Sequence, residues 1–297
     1  MNAQVSILLF FQKIANPVLD KLAVFFTLFG EGTISICVML AILWCIDKRK
    51  GFAIAGTVFY GLTGMSIMKA IVRMPRPFAV IPELAAKRIS TATGYSFPSG
   101  HTTTAATLYT SLAMAVKKRW FSIICAALIL MVGLSRMYLG VHWPLDVAGG
   151  LILGILTSLF FYRMFASMEE TAQAQYSVII GTASLITGII LAVLLFAGRI
   201  DDTAFSDMMK NFALFGGAYL GFFWDAKRIH FSTEGSLVQK LLRFILGFAV
   251  VLGIMALKHL VSDPQGYYLM ACFRYALTGL WATALHPYIG KKLRLFS

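Results

Sequence analysis

The stretch SRMYLGVHWPLD, at residues 135–146, lies between two long apolar segments. Each segment is close to the length of about 20 residues that an α-helix needs to cross a bilayer. His142 and Asp146 are four residues apart, so they share one face of a helix, and Pro144 suits the first turn of that helix. The stretch therefore predicts two membrane-spanning helices that meet at a polar end.

The whole chain has the composition of a polytopic membrane protein. Of its 297 residues, 59% are hydrophobic and 13% are charged, whereas about a quarter of a typical soluble domain is charged. We predict an all-α fold, a transmembrane helix bundle with about nine spans. The predicted spans are 31–46, 52–72, 100–116, 121–139, 144–165, 176–197, 209–224, 240–260 and 267–286.

The first thirty residues are less regular than these spans. Asn16-Pro17 interrupts residues 4–29, and charged residues flank the break. We predict one or two helices that lie at the membrane interface, with a further span or half-span as the alternative.

Basic residues concentrate in alternate connections, at 47–50, 117–119, 225–228 and 291–294. The positive-inside rule places these connections in the cytoplasm, so the stretch at 135–146 lies on the extracytoplasmic side. The net charge of +13 is therefore a topology signal, and no nucleic-acid-binding motif accompanies it. We expect an integral protein of a bacterial plasma membrane, in contact with membrane lipids and not with nucleic acid.

A second motif, Pro98-Ser99-Gly100-His101, begins the third predicted span. Ser99 is suited to cap a helix that starts at about Gly100. The N-terminus of a helix presents unpaired N–H groups and a partial positive charge, and a glycine there allows an anion to approach closely. His101 lies in the first turn and faces that site. The alternative is a simple cap beside an interfacial histidine.

His142 and Asp146 form a candidate catalytic pair. Asp146 can accept a hydrogen bond from one ring nitrogen of His142, which leaves the other nitrogen as a nucleophile. A structural His–Asp pair that caps the helix is the alternative.

Three cations lie at the ends of predicted spans on the same side. The guanidinium of Arg136 can bind phosphate through two N–H groups. Lys69 lies near the end of the second span, and Arg76 follows seven residues later. Snorkelling at the interface is the alternative for these two residues. Taken together, the three motifs predict one phosphate site.

From Lys69 to Asp146 the chain resembles the type 2 phosphatidic acid phosphatase (PAP2) superfamily. That family's pattern is Lys-x6-Arg-Pro, then Pro-Ser-Gly-His, then Ser-Arg-x5-His-x3-Asp, and all three parts occur here in order. The resemblance implies that His142 is the nucleophile and becomes a phosphohistidine, that Asp146 orients it, and that His101 is the general acid. It implies no metal and no cofactor. The phosphate-binding residues that it implies are Lys69, Arg76, Ser99, Gly100 and Arg136, with Ser135 as a further possible member.

The resemblance implies a membrane-embedded, metal-independent phosphatase that hydrolyses a lipid phosphate or lipid pyrophosphate at the extracytoplasmic face. We expect N-terminal interfacial helices at 1–30, a PAP2-type catalytic helix core at 31–165 and C-terminal transmembrane helices at 166–297. Two alternatives keep the chemistry: a glucose-6-phosphatase-like hydrolase of soluble phosphomonoesters, and a lipid phosphotransferase. The non-enzyme alternative is an anion or lipid transporter. The sequence indicates no oligomeric state.

Two features lie outside the motifs. Arg274 falls inside the last apolar segment, where a cation is costly, so it is a candidate for binding a second phosphate or a polar headgroup. Its alternative role is a structural pairing with Asp207 or Asp263. In the long connection from 73 to 98, a short helix near 82–87 is predicted to cover the site as a lid.

Overall fold

A computed structural model describes residues 2–260 and 266–296, and all regular structure in these ranges is helical. The predicted all-α fold is therefore confirmed. The α-helices are α1 (Asn2–Lys13), α2 (Pro17–Leu28), α3 (Gly32–Ala41), α4 (Lys48–Val72), α5 (Pro77–Val80), α6 (Gly100–Val116), α7 (Arg119–Tyr138), α8 (Pro144–Thr157), α9 (Arg163–Ser167), α10 (Glu170–Phe196), α11 (Asp202–Trp224), α12 (Leu237–Ala256), α13 (Gly266–Leu280) and α14 (His286–Lys292). Wider π-helical turns follow α3, α8, α11 and α13, at Ile42–Ile46, Ser158–Tyr162, Asp225–Ile229 and Trp281–Leu285.

Five helices in the described ranges are long and apolar enough to cross a membrane, or six if α2 and α3 form one span with a 48° bend. The predicted count of nine spans is not confirmed. One reason is length, since α6 has 17 residues, below the roughly 20 that a span needs. These five candidate spans are Lys48–Val80, Arg119–Tyr138, Pro144–Ser167, Glu170–Phe196 and Leu237–Leu260.

The predicted helix near 82–87 is wrong, because this stretch is irregular and short helical turns occur only at Pro77–Val80 and Ile89–Thr91 around it. Two of its backbone donors bond to distant segments. Ala85 N donates to the side chain of Gln12 at 2.9 Å, and Lys87 N donates to the carbonyl of Leu139, also at 2.9 Å.

The chain divides into two compact units. Unit 1 comprises Met1–Ile36 and Ile54–Arg163, and unit 2 comprises Cys37–Ala53 and Met164–Ser297. All three sequence motifs belong to unit 1.

Within unit 1, α6 packs against both α7 and α8 and is buried along most of its length. Its hydroxyl side chains bond back to carbonyls one turn earlier, as Thr103 does to Ser99 and Thr107 does to Thr103. This satisfies polar groups inside an apolar bundle. A Cβ on Gly154 of α8 would lie 2.5 Å from the Cβ of Ala106, so the glycine permits the close approach of the two helices.

The connection between α4 and α6 is tied to the N-terminal helices of unit 1. Lys87 pairs with Asp20 of α2 at 2.5 Å, and Arg88 pairs with Glu31 at 2.6 Å. Leu8 of α1 is buried in a cluster with Ile81, Leu84 and Trp143. These contacts fix a long loop that would otherwise have little structure of its own, and the loop carries several site residues.

Unit 2 is built on close packing of α10, α11 and α13. A Cβ on Gly217 of α11 would lie only 2.0 Å from the carbonyl oxygen of Ala276, so no larger residue fits there. Arg243 of α12 is buried and donates to backbone carbonyls on several segments.

Candidate active site

The N-terminus of α6 forms one side of the site. The hydroxyl of Ser99 accepts hydrogen bonds from the backbone N–H and the hydroxyl of Thr102, at 3.4 and 2.9 Å. The backbone N–H of Ser99 donates to the carbonyl of Asp146 at 2.9 Å, which joins the start of α6 to the start of α8. A Cβ on Gly100 would lie 3.9 Å from Lys69 Nζ, so this glycine borders the lysine. Helix N-terminus and ammonium are therefore adjacent.

His142 and Asp146 are each 1% exposed and lie in contact. Asp146 Oδ2 is 3.2 Å from His142 Nδ1 and accepts from the backbone N–H of Trp143 at 2.8 Å and from the hydroxyl of Ser96. A carboxylate only accepts hydrogen bonds, so His142 Nδ1 carries the proton. His142 Nε2 then has a lone pair, which faces Arg76 Nη1 at 3.2 Å.

The electrostatic surroundings keep His142 neutral. Burial lowers the pKa of His142 well below its ordinary value of 6.5, and the positive charges of Arg76, Arg136 and Lys69 lower the pKa further. A neutral imidazole whose Nδ1–H is held by a carboxylate is the form that a nucleophile at Nε2 requires.

Lys69 and Arg76 are buried and converge on one loop. Lys69 Nζ donates to the carbonyl of Thr93 at 3.3 Å, and Arg76 Nη2 donates to the same carbonyl at 2.5 Å. Arg76 also donates through Nε to Gly94 and through Nη1 to Val141, both at 3.0 Å. The loop carbonyls thus hold the guanidinium beside His142.

Arg136 is 0% exposed, and it donates through Nη1 to the hydroxyl of Thr27 at 2.9 Å. Its Nε and Nη2 are buried without a hydrogen-bond partner, and so is Nε2 of His101. Unpaired buried polar groups are costly, above all on a charged side chain. The buried cations Lys69, Arg76 and Arg136 also outnumber the carboxylate of Asp146. An oxyanion such as phosphate would satisfy both the donors and the charge.

The sequence motifs thus meet in unit 1, where His142 interacts electrostatically with Lys69, Arg76, His101 and Arg136. Ser135 differs from these residues, because its hydroxyl donates to the carbonyl of Val132 within α7 at 2.7 Å. Its place in the phosphate-binding set stays a prediction.

Arg274 lies in unit 2 and is buried. Its Nη1 donates to the carbonyl of Met255 at 2.7 Å, near the end of α12. Asp207, one predicted partner, pairs with Lys210 at 3.0 Å. Asp263, the other, lies outside the described residues. A headgroup-binding role for Arg274 stays a prediction.

Sequence reasoning missed two buried hydroxyl residues that support the site. Ser96 donates to Asp146, and Thr27 accepts from Arg136. Both are 0% exposed. Ser96 lies in an irregular loop without periodicity, and Thr27 lies in a helix assigned to the membrane interface, so only the tertiary fold reveals their roles.

Among the described residues, no group of three or more His, Cys, Asp or Glu side chains is placed to hold a metal ion.

The chain matches two protein-family models. Residues 50–169 match the PAP2 superfamily, and residues 209–297 match the PAP2 superfamily phosphatase transmembrane extension. The chain is 32% identical over 154 residues to undecaprenyl-diphosphatase BcrC of Bacillus subtilis. This alignment covers 50% of this chain and 76% of the relative. It is 30% identical over 154 residues to undecaprenyl-diphosphatase of Sulfolobus acidocaldarius, covering 52% and 73%.

A shorter match joins the chain to phosphatidylglycerophosphatase B of Bacillus subtilis, with 42% identity over 76 residues, or 23% of this chain and 36% of the relative. Among solved structures, the crystal structure of Aquifex aeolicus LpxE aligns with a TM-score of 0.47 and 24% identity. That alignment covers 54% of this chain and 94% of the other.

Proposed function

This chain belongs to the PAP2 superfamily of phosphatases, and we propose that it hydrolyses a lipid phosphate or lipid pyrophosphate through a phosphohistidine at His142. It is an integral membrane protein and a lipid phosphatase. We further propose a covalent intermediate, a role for each residue of the site, and an extracytoplasmic position for the site. Residues 31–165 supply the catalysis, residues 1–30 lie at the interface, and residues 166–297 add membrane helices.

In the first step, His142 Nε2 attacks phosphorus. A P–N bond forms while the P–O bond to the lipid breaks. His101, whose protonated form the negative charge of the bound phosphate stabilises, gives a proton to the leaving oxygen. The hydrogen bond from Nδ1 to Asp146 stabilises the positive charge that develops on the ring. Arg76 Nη1 moves from the Nε2 lone pair to a phosphate oxygen, so the arriving phosphate uncovers the nucleophile.

In the second step, water attacks phosphorus and gives a proton to His101. The P–N bond breaks and inorganic phosphate leaves. Lys69, Arg76, Arg136 and the N–H groups at the start of α6 bind the oxygens in both steps. Such preorganised positive groups stabilise the charge of a phosphoryl-transfer transition state, so the protein's own groups can supply what a metal ion supplies in other phosphatases.

The relatives support a substrate with a hydrocarbon tail, since the named activities are those of undecaprenyl-diphosphatase and phosphatidylglycerophosphatase. We propose a polyprenyl diphosphate as the first substrate to test. The alternation of basic connections supports an extracytoplasmic site in a bacterial plasma membrane.

One observation carries the proposal: two guanidinium donors of Arg136 and the Nε2 nitrogen of His101 lack protein partners in the unit that holds the His142–Asp146 pair. The test is phosphate release by the purified full-length chain with EDTA present. The substrates are undecaprenyl diphosphate, phosphatidic acid, phosphatidylglycerophosphate, a sphingoid phosphate and glucose 6-phosphate.

We expect a lipid substrate to be turned over in EDTA by the parent and by the control His259→Ala, whose histidine is exposed on the turn after α12. The His142→Ala variant should release no phosphate. Full activity in His142→Ala, or turnover of glucose 6-phosphate alone, would refute the proposal. In sealed vesicles of known orientation, phosphate should appear on the extracytoplasmic side.

A further inference from the structure

Unit 2 contains a cavity of about 380 Å³, with polar and apolar walls, that no part of the catalytic proposal uses. Its size lies within the range of about 300–1,000 Å³ that is usual for small-molecule sites. The walls come from the first turns of α4 and α10 and from the end of α11 with its π-helical turn. The basic connections at 47–50 and 225–228 contribute to it, so the positive-inside pattern predicts that it opens to the cytoplasm.

The charge around this cavity favours an anion. Four basic side chains line it, from Lys48, Arg49, Lys227 and His230.

Two acidic residues line the same cavity, and one of them is already neutralised. Asp225 is buried and pairs with Lys48 at 2.5 Å. The other, Glu170, lies in the first turn of α10. Within the part of the chain that the structure describes, Arg49 donates to the carbonyl of Met168 over a long 3.4 Å, while Lys227 is exposed on its turn. Arg49 and Lys227 therefore have charge to offer a ligand.

A second observation is independent of charge. Ser177 of α10 lines the cavity, is 1% exposed, and its hydroxyl has no hydrogen-bond partner. Most serines in membrane helices bond back to a carbonyl of the preceding turn, as Ser158 does to Gly154 at 2.9 Å. A buried hydroxyl left without such a bond is costly unless a ligand or water completes it.

We propose that this cavity is a binding site for a phosphate-bearing anion. Arg49 and Lys227 bind the phosphate through their long side chains, and the hydroxyl of Ser177 donates to one of its oxygens. Phe52 and Phe222 line the remaining wall and suit an apolar portion of the ligand. The source is either the headgroup of an anionic membrane lipid or free phosphate, and the site acts independently of the chemistry at His142.

The test uses two matched pairs of variants in the full-length protein. Lys227→Gln and Arg228→Gln each remove one exposed positive charge from the same turn, but only Lys227 lines the cavity. Ser177→Ala and Ser184→Ala each remove a buried hydroxyl from α10, but only Ser177 lines the cavity.

Two arms distinguish the sources of the ligand. In the first, the detergent-purified protein is titrated with inorganic phosphate, and its unfolding midpoint is measured at each concentration. A parallel titration with chloride at equal ionic strength is the control. In the second, the protein is reconstituted with phosphatidylcholine alone or with phosphatidylglycerol added, and retained lipid is counted by native mass spectrometry. Phosphate release is measured for every variant as well.

We expect the apparent affinity in at least one arm to fall about fivefold in Lys227→Gln, since one basic residue contributes about 1 kcal/mol near an anionic group. A similar fall is expected in Ser177→Ala from the loss of one hydrogen bond. Arg228→Gln and Ser184→Ala should bind as the parent does. A positive first arm identifies free phosphate, and a positive second arm identifies a lipid headgroup.

The proposal is overturned if neither phosphate nor phosphatidylglycerol binds, or if the members of each pair lose affinity equally. All four variants should keep the parent's phosphatase activity. A failure of the catalytic proposal would instead appear as absent turnover in the parent and would leave the binding comparison intact.

Discussion

Two arginines of this protein are buried to the same extent but are satisfied in opposite ways. Arg243 in unit 2 is 1% exposed, and each nitrogen of its guanidinium donates to a backbone carbonyl, with acceptors at Trp44, Thr233, Glu234 and Leu295. Arg136 in unit 1 is 0% exposed, and two of its three nitrogens have no partner. Burial alone therefore does not distinguish a structural cation from a ligand-binding one, whereas the destination of each N–H group does.

The difference extends to the histidines. His286 in unit 2 is buried, its Nε2 bonds to the carbonyl of Arg243 at 2.9 Å, and its ring lies 4.5 Å from that of Trp44. His142 has a carboxylate on one nitrogen and a guanidinium on the other. Arg243 and His286 in unit 2 thus join segments through their buried nitrogens, while Arg136 in unit 1 has two donors available for an anion. This leads to five predictions.

The largest effect is expected for the two histidines. His142→Ala removes the proposed nucleophile and should lower kcat by more than about 10⁴-fold. His286→Ala should leave turnover per folded molecule unchanged and lower the unfolding midpoint. Kinetics and thermal unfolding of the two purified variants check this. Equal loss of activity in both would remove the distinction between the units.

Replacing Arg136 with methionine should lower kcat/KM by about 10²- to 10³-fold, because the transition state loses donors that are already in position. In phosphate-free buffer, the same substitution should leave the unfolding midpoint unchanged or raise it. The reason is that the guanidinium is a buried charge whose donors are not all paired, so its removal relieves a cost. A marked fall in that midpoint would show that the unpartnered guanidinium stabilises the fold.

Arg243→Met is the matched change in unit 2. It leaves four carbonyls without their donor and should destabilise the protein by about 3 kcal/mol. Turnover per folded molecule should stay near that of the parent. Chemical unfolding in detergent with active-site titration measures both quantities. A stable but inactive variant would contradict a purely structural role.

Ser96→Ala removes one of three donors to Asp146 Oδ2 and should lower kcat about tenfold, with little effect on KM. Ser90→Ala, in the same connection, is the control. The readout specific to positioning is partial rescue by Ser96→Thr, which restores the hydroxyl. A change confined to KM would instead point to substrate binding.

The smallest effect concerns pH. Because burial and the cations Arg76, Arg136 and Lys69 lower the pKa of His142 below 6.5, the acid limb of kcat/KM should lie below pH 6.5. The sign follows from the nucleophile, which is neutral above its pKa and is lost by protonation as the pH falls. Arg76→Gln removes a nearby positive charge and should move this limb upward. The carboxylate of Asp146 faces the His142 ring in the parent and in Arg76→Gln, so its effect is the same in both. The pKa of the substrate's phosphate is measured separately by NMR. A limb that stays in place or moves down would contradict the assignment.

Much of the site could be predicted from the sequence, because its chemistry lies in motifs with fixed spacing. The pairing of His142 with Asp146 is predicted from their spacing on one helix, and the two side chains do meet, but His142 precedes α8 and Asp146 reaches back to it from the first turn. The cap at Ser99 follows from residue preferences at helix starts. Both are local. The hydroxyl of Thr27 on Arg136 joins residues 109 positions apart, and no pattern along the chain encodes such a contact.

The fold could be predicted less completely. Hydropathy identifies long apolar helices such as α10 correctly. It cannot decide whether a shorter helix such as α6, with several buried threonines, crosses the membrane alone or depends on its neighbours. The prediction of a lid helix at 82–87 was wrong because helix propensity does not anticipate a backbone donor such as Ala85 N that bonds to a distant side chain.

The most direct test of the central claim is to trap the intermediate. The protein is mixed with a lipid substrate carrying radiolabelled terminal phosphate, quenched in alkali within a single turnover, and digested for mass spectrometry. The account predicts label on the peptide that contains His142, stable in alkali and released by acid, with none in His142→Ala. Turnover of the substrate with no protein-bound label, or with label on another residue, would contradict it.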